Sequence, residues 1–133
     1  MNYLKLLFDL YLLKNNTKKT SAQIKKLQER KLRKILEYAY KNSVYYRKEF
    51  EKFGITAENI LSVLLDRFPT IDKAQLLENF DELVTVSDLK QDELRRFDEE
   101  KAADRKPFKG KYHIVHSSGS TGKPGYFVYD KNA

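Results

Sequence analysis

The sequence predicts an α+β architecture: a mainly helical N-terminal region followed by a short β element that carries a Ser/Gly-rich loop. Two observations predict it. Apolar residues recur at helical spacing up to about Asp104, with Gly, Pro and capping residues between the runs. Beyond Pro107 the pattern changes to two short aromatic and branched runs, Tyr112 to His116 and Tyr126 to Tyr129, joined by a turn-forming segment. At 133 residues and 41% hydrophobic content, the chain can build one compact domain or a portion of a larger one, and is short for a multi-substrate enzyme. It divides into an apolar N-terminal helix and linker (1–21), a helical lead-in region (22–104) and the start of a β-containing domain (105–133).

In Asn2 to Lys14 the polar positions Asn2, Lys5 and Asp9 fall at i, i+3 and i+7, leaving a narrow wet stripe on an otherwise apolar helix. Such a helix needs cover on most of its circumference. Docking within the chain is the expectation; docking on a further part of the protein or on a membrane surface are the alternatives. Asn15 to Ser21 is polar and reads as a linker. Ile24, Leu27, Ile35, Leu36 and Ala39, with Leu32 alongside, then give the apolar face of the longest helix, through about Tyr40.

Asn42-Ser43 interrupts that helix. Tyr46, Phe50 and Phe53 recur on one face of the next, and Gly54 is placed as its left-handed terminator. Aromatics interleaved with basic residues can form a stacking platform for single-stranded nucleic acid, but one stripe at helical spacing reads as core. Thr56 caps an expected helix from Ala57 to about Asp66 that buries Ile60, Leu61, Leu64 and Leu65, and Pro69 ends the run. Asp72 with Gln75 three residues later starts another helix whose apolar side is Leu76, Leu77 and Phe80. An exposed acidic helix is expected over Gln91 to Ala103, and Pro107 with Gly110 turns the chain into the first strand.

The formal charge is +7, unevenly distributed: Lys14 to Lys52 carries +9, Phe53 to Asp104 carries −7, and Arg105 to Ala133 carries +5. A gathered basic surface suits a polyanionic partner, whereas long Lys and Arg side chains also form the ordinary solvated face of helices. Charge alone therefore does not make nucleic acid the expected partner. Cysteine is absent, which removes disulfides, thiolate nucleophiles and cysteine-ligated metals and fits a cytoplasmic location. No transmembrane segment or cleaved secretory segment is recognisable, because Lys5 and Asp9 break a stretch already too short to span hydrocarbon.

The most chemically specific segment is Ser117-Ser118-Gly119-Ser120-Thr121-Gly122-Lys123-Pro124. Its glycines allow tight turning and close approach to an anion, while hydroxyls and main-chain N–H groups supply donors to phosphate oxygens. Lys123 adds a mobile positive charge. The spacing departs from the nucleotide P-loop, since Gly119 and Gly122 are separated by two residues and Pro124 replaces the magnesium-binding hydroxyl. His113 and His116, three apart in a strand, point to opposite faces and disfavour a paired metal site. The serines lack the Gly-x-Ser-x-Gly elbow, and no carboxylate pair stands out as acid and base.

In this context the chain resembles the opening of adenylate-forming enzymes, in the branch of phenylacetate-CoA ligases and capsular-polysaccharide-type adenylating proteins. The resemblance runs through Ile35-Leu36-Glu37-Tyr38-Ala39, Ser43-Val44-Tyr45-Tyr46-Arg47, Phe68-Pro69-Thr70-Ile71-Asp72-Lys73 and His116 to Pro124. It implies a larger α/β adenylate-forming fold and an ATP-dependent, AMP-forming carboxylate-CoA ligase or related enzyme. ATP with Mg²⁺ and an unidentified carboxylate would be its reactants, with coenzyme A as co-substrate.

By resemblance Ser118, Gly119, Ser120, Thr121 and Gly122 form the cradle for the β- and γ-phosphates, with Ser117 and Lys123 at its margins. The family's frequent Lys-Gly after proline is Gly125-Tyr126 here. Adenine and ribose contacts, the acyl pocket and the C-terminal catalytic lysine follow this region in the family, so the chain by itself is expected to be inactive. An exposed sheet edge is also expected, and it offers a homodimer contact. The competing expectation is a small basic interaction module that uses Lys14 to Lys52 against nucleic acid or another acidic partner.

Overall fold

Helix α1 (Tyr3–Asn16) and helix α2 (Ser21–Asn42) are separated by a short, hydrogen-bonded turn. The computed structural model describes residues 3–101, 106–117 and 124–130. In the turn, Lys18 and Lys19 donate backbone N–H groups to the Asn15 and Asn16 carbonyls, and Thr17 Oγ1 donates to Lys14 O at 2.7 Å, so the last carbonyls of α1 are satisfied. Thr20 then opens α2 with a reciprocal capping box: its side chain accepts from Gln23 N while its own N–H donates to Gln23 Oε1.

Ser43 ends α2 and begins α3 (Val44–Lys52). It is fully buried, its Oγ accepting from Tyr46 N and donating to Glu82 O at 3.0 Å. Phe53 and Gly54 close α3, with Gly54 at φ +70° as a left-handed terminator. The aromatic face is shifted from the expected stripe. Tyr45 and Phe50 are buried and Tyr46 is half-buried, while Phe53 is exposed because the helix has ended before its turn comes round to the core.

The helix expected from Ala57 to Asp66 does not form. Thr56 does receive the Glu58 N–H on Oγ1, but the segment makes successive turns, followed by a 3₁₀ turn at Leu65–Arg67. Ile60 alone of the four apolar residues predicted there is buried; Leu61, Leu64 and Leu65 face outward. Arg33 holds the turns in place: its Nη1 donates to the carbonyls of Ile60 and Val63, and its guanidinium pairs with Glu29 at 2.7 Å. Side-chain donors thus replace helix hydrogen bonds, a long-range solution that local propensity does not encode. Ile35, assigned to the buried face of α2, is exposed, and Arg33 turns inward.

Asp72 and Gln75 form the predicted capping box at α4 (Lys73–Glu78), which is followed by the single-turn α5 (Phe80–Leu83). Helix α6 (Gln91–Lys101) has a wet acidic side, as expected, but also drives Leu94 to complete burial with Phe97 beside it. Strands β1 (Tyr112–His116) and β2 (Tyr126–Asp130) pair antiparallel with Ile114 opposite Val128 and His116 opposite Tyr126.

Two cores result. One gathers Phe80, Leu89, Leu94, Phe108, Tyr112 and Tyr126 beneath the sheet; the other places Phe50, Ile55 and Ile60 against α2 and Phe68. Each fully buried aliphatic side chain contributes about 1.5–3 kcal/mol through removal from water. The Ser43 to Glu82 hydrogen bond and the Lys48–Glu82 ion pair at 2.9 Å tie α3, beside the second core, to α5, beside the first. The fold is therefore mainly helical with a small antiparallel sheet at the C-terminal end, as the sequence predicts.

Alternation puts Tyr112, Ile114, Tyr126 and Val128 on the core side of the sheet. His113, Val115, Phe127 and Tyr129 form an exposed opposite face, and no third strand pairs with either edge among the described residues. Helix α1 does not dock within the chain as expected. None of its described residues is buried.

Candidate functional site

The Ser/Gly-rich segment joins β1 to β2, so it is a hairpin connection anchored on a packed sheet. Tyr112 and Tyr126, at the start of each strand, are buried in the core beneath it, and Phe108 pairs with Tyr112 across the turn at Lys109-Gly110. Burial raises the Tyr126 hydroxyl pKa above its ordinary value, with the nearby Asp98 and Glu99 carboxylates adding to the effect. The strands therefore have a fixed base from which to present a loop.

Ser117 and Gly125 form the mouth of that loop. Ser117 N–H donates to Gly125 O at 3.0 Å, and Gly125 N–H donates back to Ser117 Oγ at 2.9 Å. The hydroxyl thus substitutes for a backbone acceptor in the reciprocal pairing of an antiparallel ladder. Ser117 is consequently committed to closing the loop, with a single hydroxyl hydrogen left to donate elsewhere. Ser118, Gly119, Ser120, Thr121, Gly122 and Lys123, the remaining residues of the predicted cradle, lie outside the described residues.

Gly125 is buried, yet a Cβ placed there would meet Ser117 Oγ at 3.7 Å, an ordinary van der Waals contact. Position 125 thus holds a buried glycine beside the Ser117 hydroxyl. Tyr126 belongs to the core. Neither supplies a cation to the loop.

His116 stands beside the mouth, exposed, with Nε2 3.5 Å from Asp98 Oδ2 and its ring 6.2 Å from that of Tyr126. His113 lies on the other sheet face, as alternation predicts, so the two imidazoles do not converge. No group of three or more His, Asp or Glu side chains converges as metal ligands among the described residues. Asp98 places a carboxylate beside His116 on this side of the sheet.

A separate open cavity of about 420 Å³ lies where the end of α2 meets α5 and the sheet, lined by residues including Tyr38, Phe80, Val84, Val86, Tyr112 and Val128. Sequence periodicity could not reveal it, because its walls come from segments far apart in the chain. Its lining mixes apolar side chains with the polar groups of Tyr38, Thr85, Tyr112 and Asp130.

No protein-family model, curated protein or solved structure matches this chain.

Proposed function

We propose that this chain supplies the ATP-phosphate loop of an AMP-forming carboxylate-CoA ligase or related adenylating enzyme, as the N-terminal portion of a larger protein. The observation that carries the reading is the hairpin with its Ser117–Gly125 clasp on a packed base, whose connecting sequence is made of hydroxyl, glycine and lysine residues. The ordered motif series from Ile35 to Pro124 adds to it. The exposed sheet face of Val115, Phe127 and Tyr129 suits a larger sheet domain that would cover it.

In this reading Ser118 to Gly122 donate hydrogen bonds to the β- and γ-phosphate oxygens, and Lys123 adds charge at the loop margin. A carboxylate oxygen forms a bond to the α-phosphorus; the bond from that phosphorus to the bridging oxygen breaks, and pyrophosphate leaves with the electron pair. The loop lowers the barrier by holding the leaving group in line and stabilising its growing charge. Mg²⁺ enters with the ATP phosphates, and the acyl-adenylate passes to coenzyme A or another acceptor.

The full-length protein that carries this segment should exchange labelled pyrophosphate into ATP only when a suitable carboxylate is present. A broad panel of carboxylates tests this. Absence of exchange with every member, from a folded full-length protein, would refute the assignment.

A further inference from the structure

We propose that α1 and the basic first half of α2 form a docking surface for an anionic lipid bilayer. Every large apolar side chain of α1 from Tyr3 to Leu13 is 43–80% exposed, and none of the helix's described residues is buried. Helices of such composition are stable in water only when covered. At 1.5 Å per residue, α1 is about 21 Å long, too short to cross hydrocarbon, and no described helix is long and apolar enough to do so. It can instead lie in the interface, its narrow Lys5 and Asp9 stripe toward water and its wide apolar arc among the acyl chains.

The argument for lipid over other covers is charge. From Lys14 to Lys34 the chain carries nine Lys and Arg against the single carboxylate of Glu29. Arg33 is engaged with the carbonyls of Ile60 and Val63, but Lys18, Lys19, Lys25, Lys26, Arg30 and Lys31 are exposed. At 100° per residue, the exposed Lys25, Lys26, Arg30 and Lys31 are spread around the first half of α2, whose apolar Ile24 and Leu27 are only half-buried. An apolar helix joined by a four-residue turn to a polybasic one combines the two signals, insertion and electrostatic attraction, that stable peripheral binding requires.

The test is co-flotation of the full chain with phosphatidylcholine vesicles, pure or containing about 30% phosphatidylserine. The expected result is partitioning onto the anionic vesicles, little onto the neutral ones, and release by high salt. Leu7→Ser with Leu10→Ser should abolish partitioning, and because both side chains are more than half exposed, the circular dichroism of the remaining helices should persist. Lys25→Gln, Lys26→Gln and Lys31→Gln together should weaken partitioning about a hundredfold.

The proposal is overturned if the folded chain ignores anionic vesicles or binds neutral ones equally well. It is equally overturned if the serine pair converts a dimer to a monomer while the parent chain shows no vesicle binding, which would make a second copy the cover for α1. Salt-sensitive binding of nucleic acid through the same lysines, without vesicle binding, would also overturn it. None of these outcomes depends on the nucleotide assignment.

Discussion

Ser117 and Gly125 clasp each other across the base of the β1–β2 connection, one hydrogen bond running backbone to backbone and the other from Gly125 N–H to the Ser117 hydroxyl. Because the second acceptor is a side chain, it can be removed without altering the strand. Ser117→Ala leaves the buried Gly125 N–H without that partner, at a local cost of about 1–3 kcal/mol. Amide hydrogen exchange should show faster exchange at Gly125, with the amides of Ile114 and Val128 little changed. Unchanged protection at Gly125 would mean that the hydroxyl does not close the loop.

Ser43 is the junction on which the helical half depends. Its Oγ serves both the Tyr46 N–H and the Glu82 carbonyl from a fully buried position. Ser43→Ala removes a helix cap and strands a partly buried carbonyl together, so urea unfolding should show a loss of about 1–3 kcal/mol.

Gly54 and Gly125 differ in why they are glycine. Gly54 has φ +70° with open space where a Cβ would go, so Gly54→Ala should cost about 1–2 kcal/mol from backbone conformation alone. Gly54→Asn should recover part of that loss, since asparagine adopts the left-handed region more readily. Gly125 lacks the positive φ, and a Cβ there makes an ordinary contact. Thermal unfolding of the three variants should rank Gly54→Ala as more damaging than Gly54→Asn or Gly125→Ala.

Asp88 gives the fold a pH dependence of definite sign. Its carboxylate is held below its ordinary pKa first by the Lys111 ammonium, at 2.7 Å, and then by the Tyr112 hydroxyl. A depressed carboxylate contributes stability above the unfolded value of about 3.9 and loses it as pH falls through the lower folded value. Lys111 is raised by the same hydrogen bond to Asp88, so its contribution holds below its unfolded value of about 10.4 and disappears as pH rises through the higher folded one. Asp88→Asn should therefore lower the urea midpoint near neutral pH, with the difference from the parent shrinking at both acid and alkaline extremes. A difference that is flat with pH would rule out the ion pair as its source.

Local chemistry made several elements legible. The Asp72 and Gln75 box, the Ser43 break, Gly54 and the strand runs all act within a few residues, and each appears as the sequence predicts. Features decided by distant partners did not. Arg33 reaches across some thirty positions to the carbonyls of Ile60 and Val63, and that tertiary bond, rather than Thr56 as a cap, sets the path of the segment after α3. For the candidate site, the hairpin setting of the loop was legible from its flanking strands. The commitment of Ser117 to Gly125 was not, because a hydroxyl replacing a ladder acceptor leaves no pattern in sequence.

The most direct test of the phosphate-loop assignment is calorimetric titration of ATP and of pyrophosphate into the full-length protein and its Gly119→Asp variant. A carboxylate in the loop opposes the phosphate charge and fills the close approach that glycine allows, so affinity for both ligands should fall by about a hundredfold or more. Equal affinity in the two proteins would contradict the account.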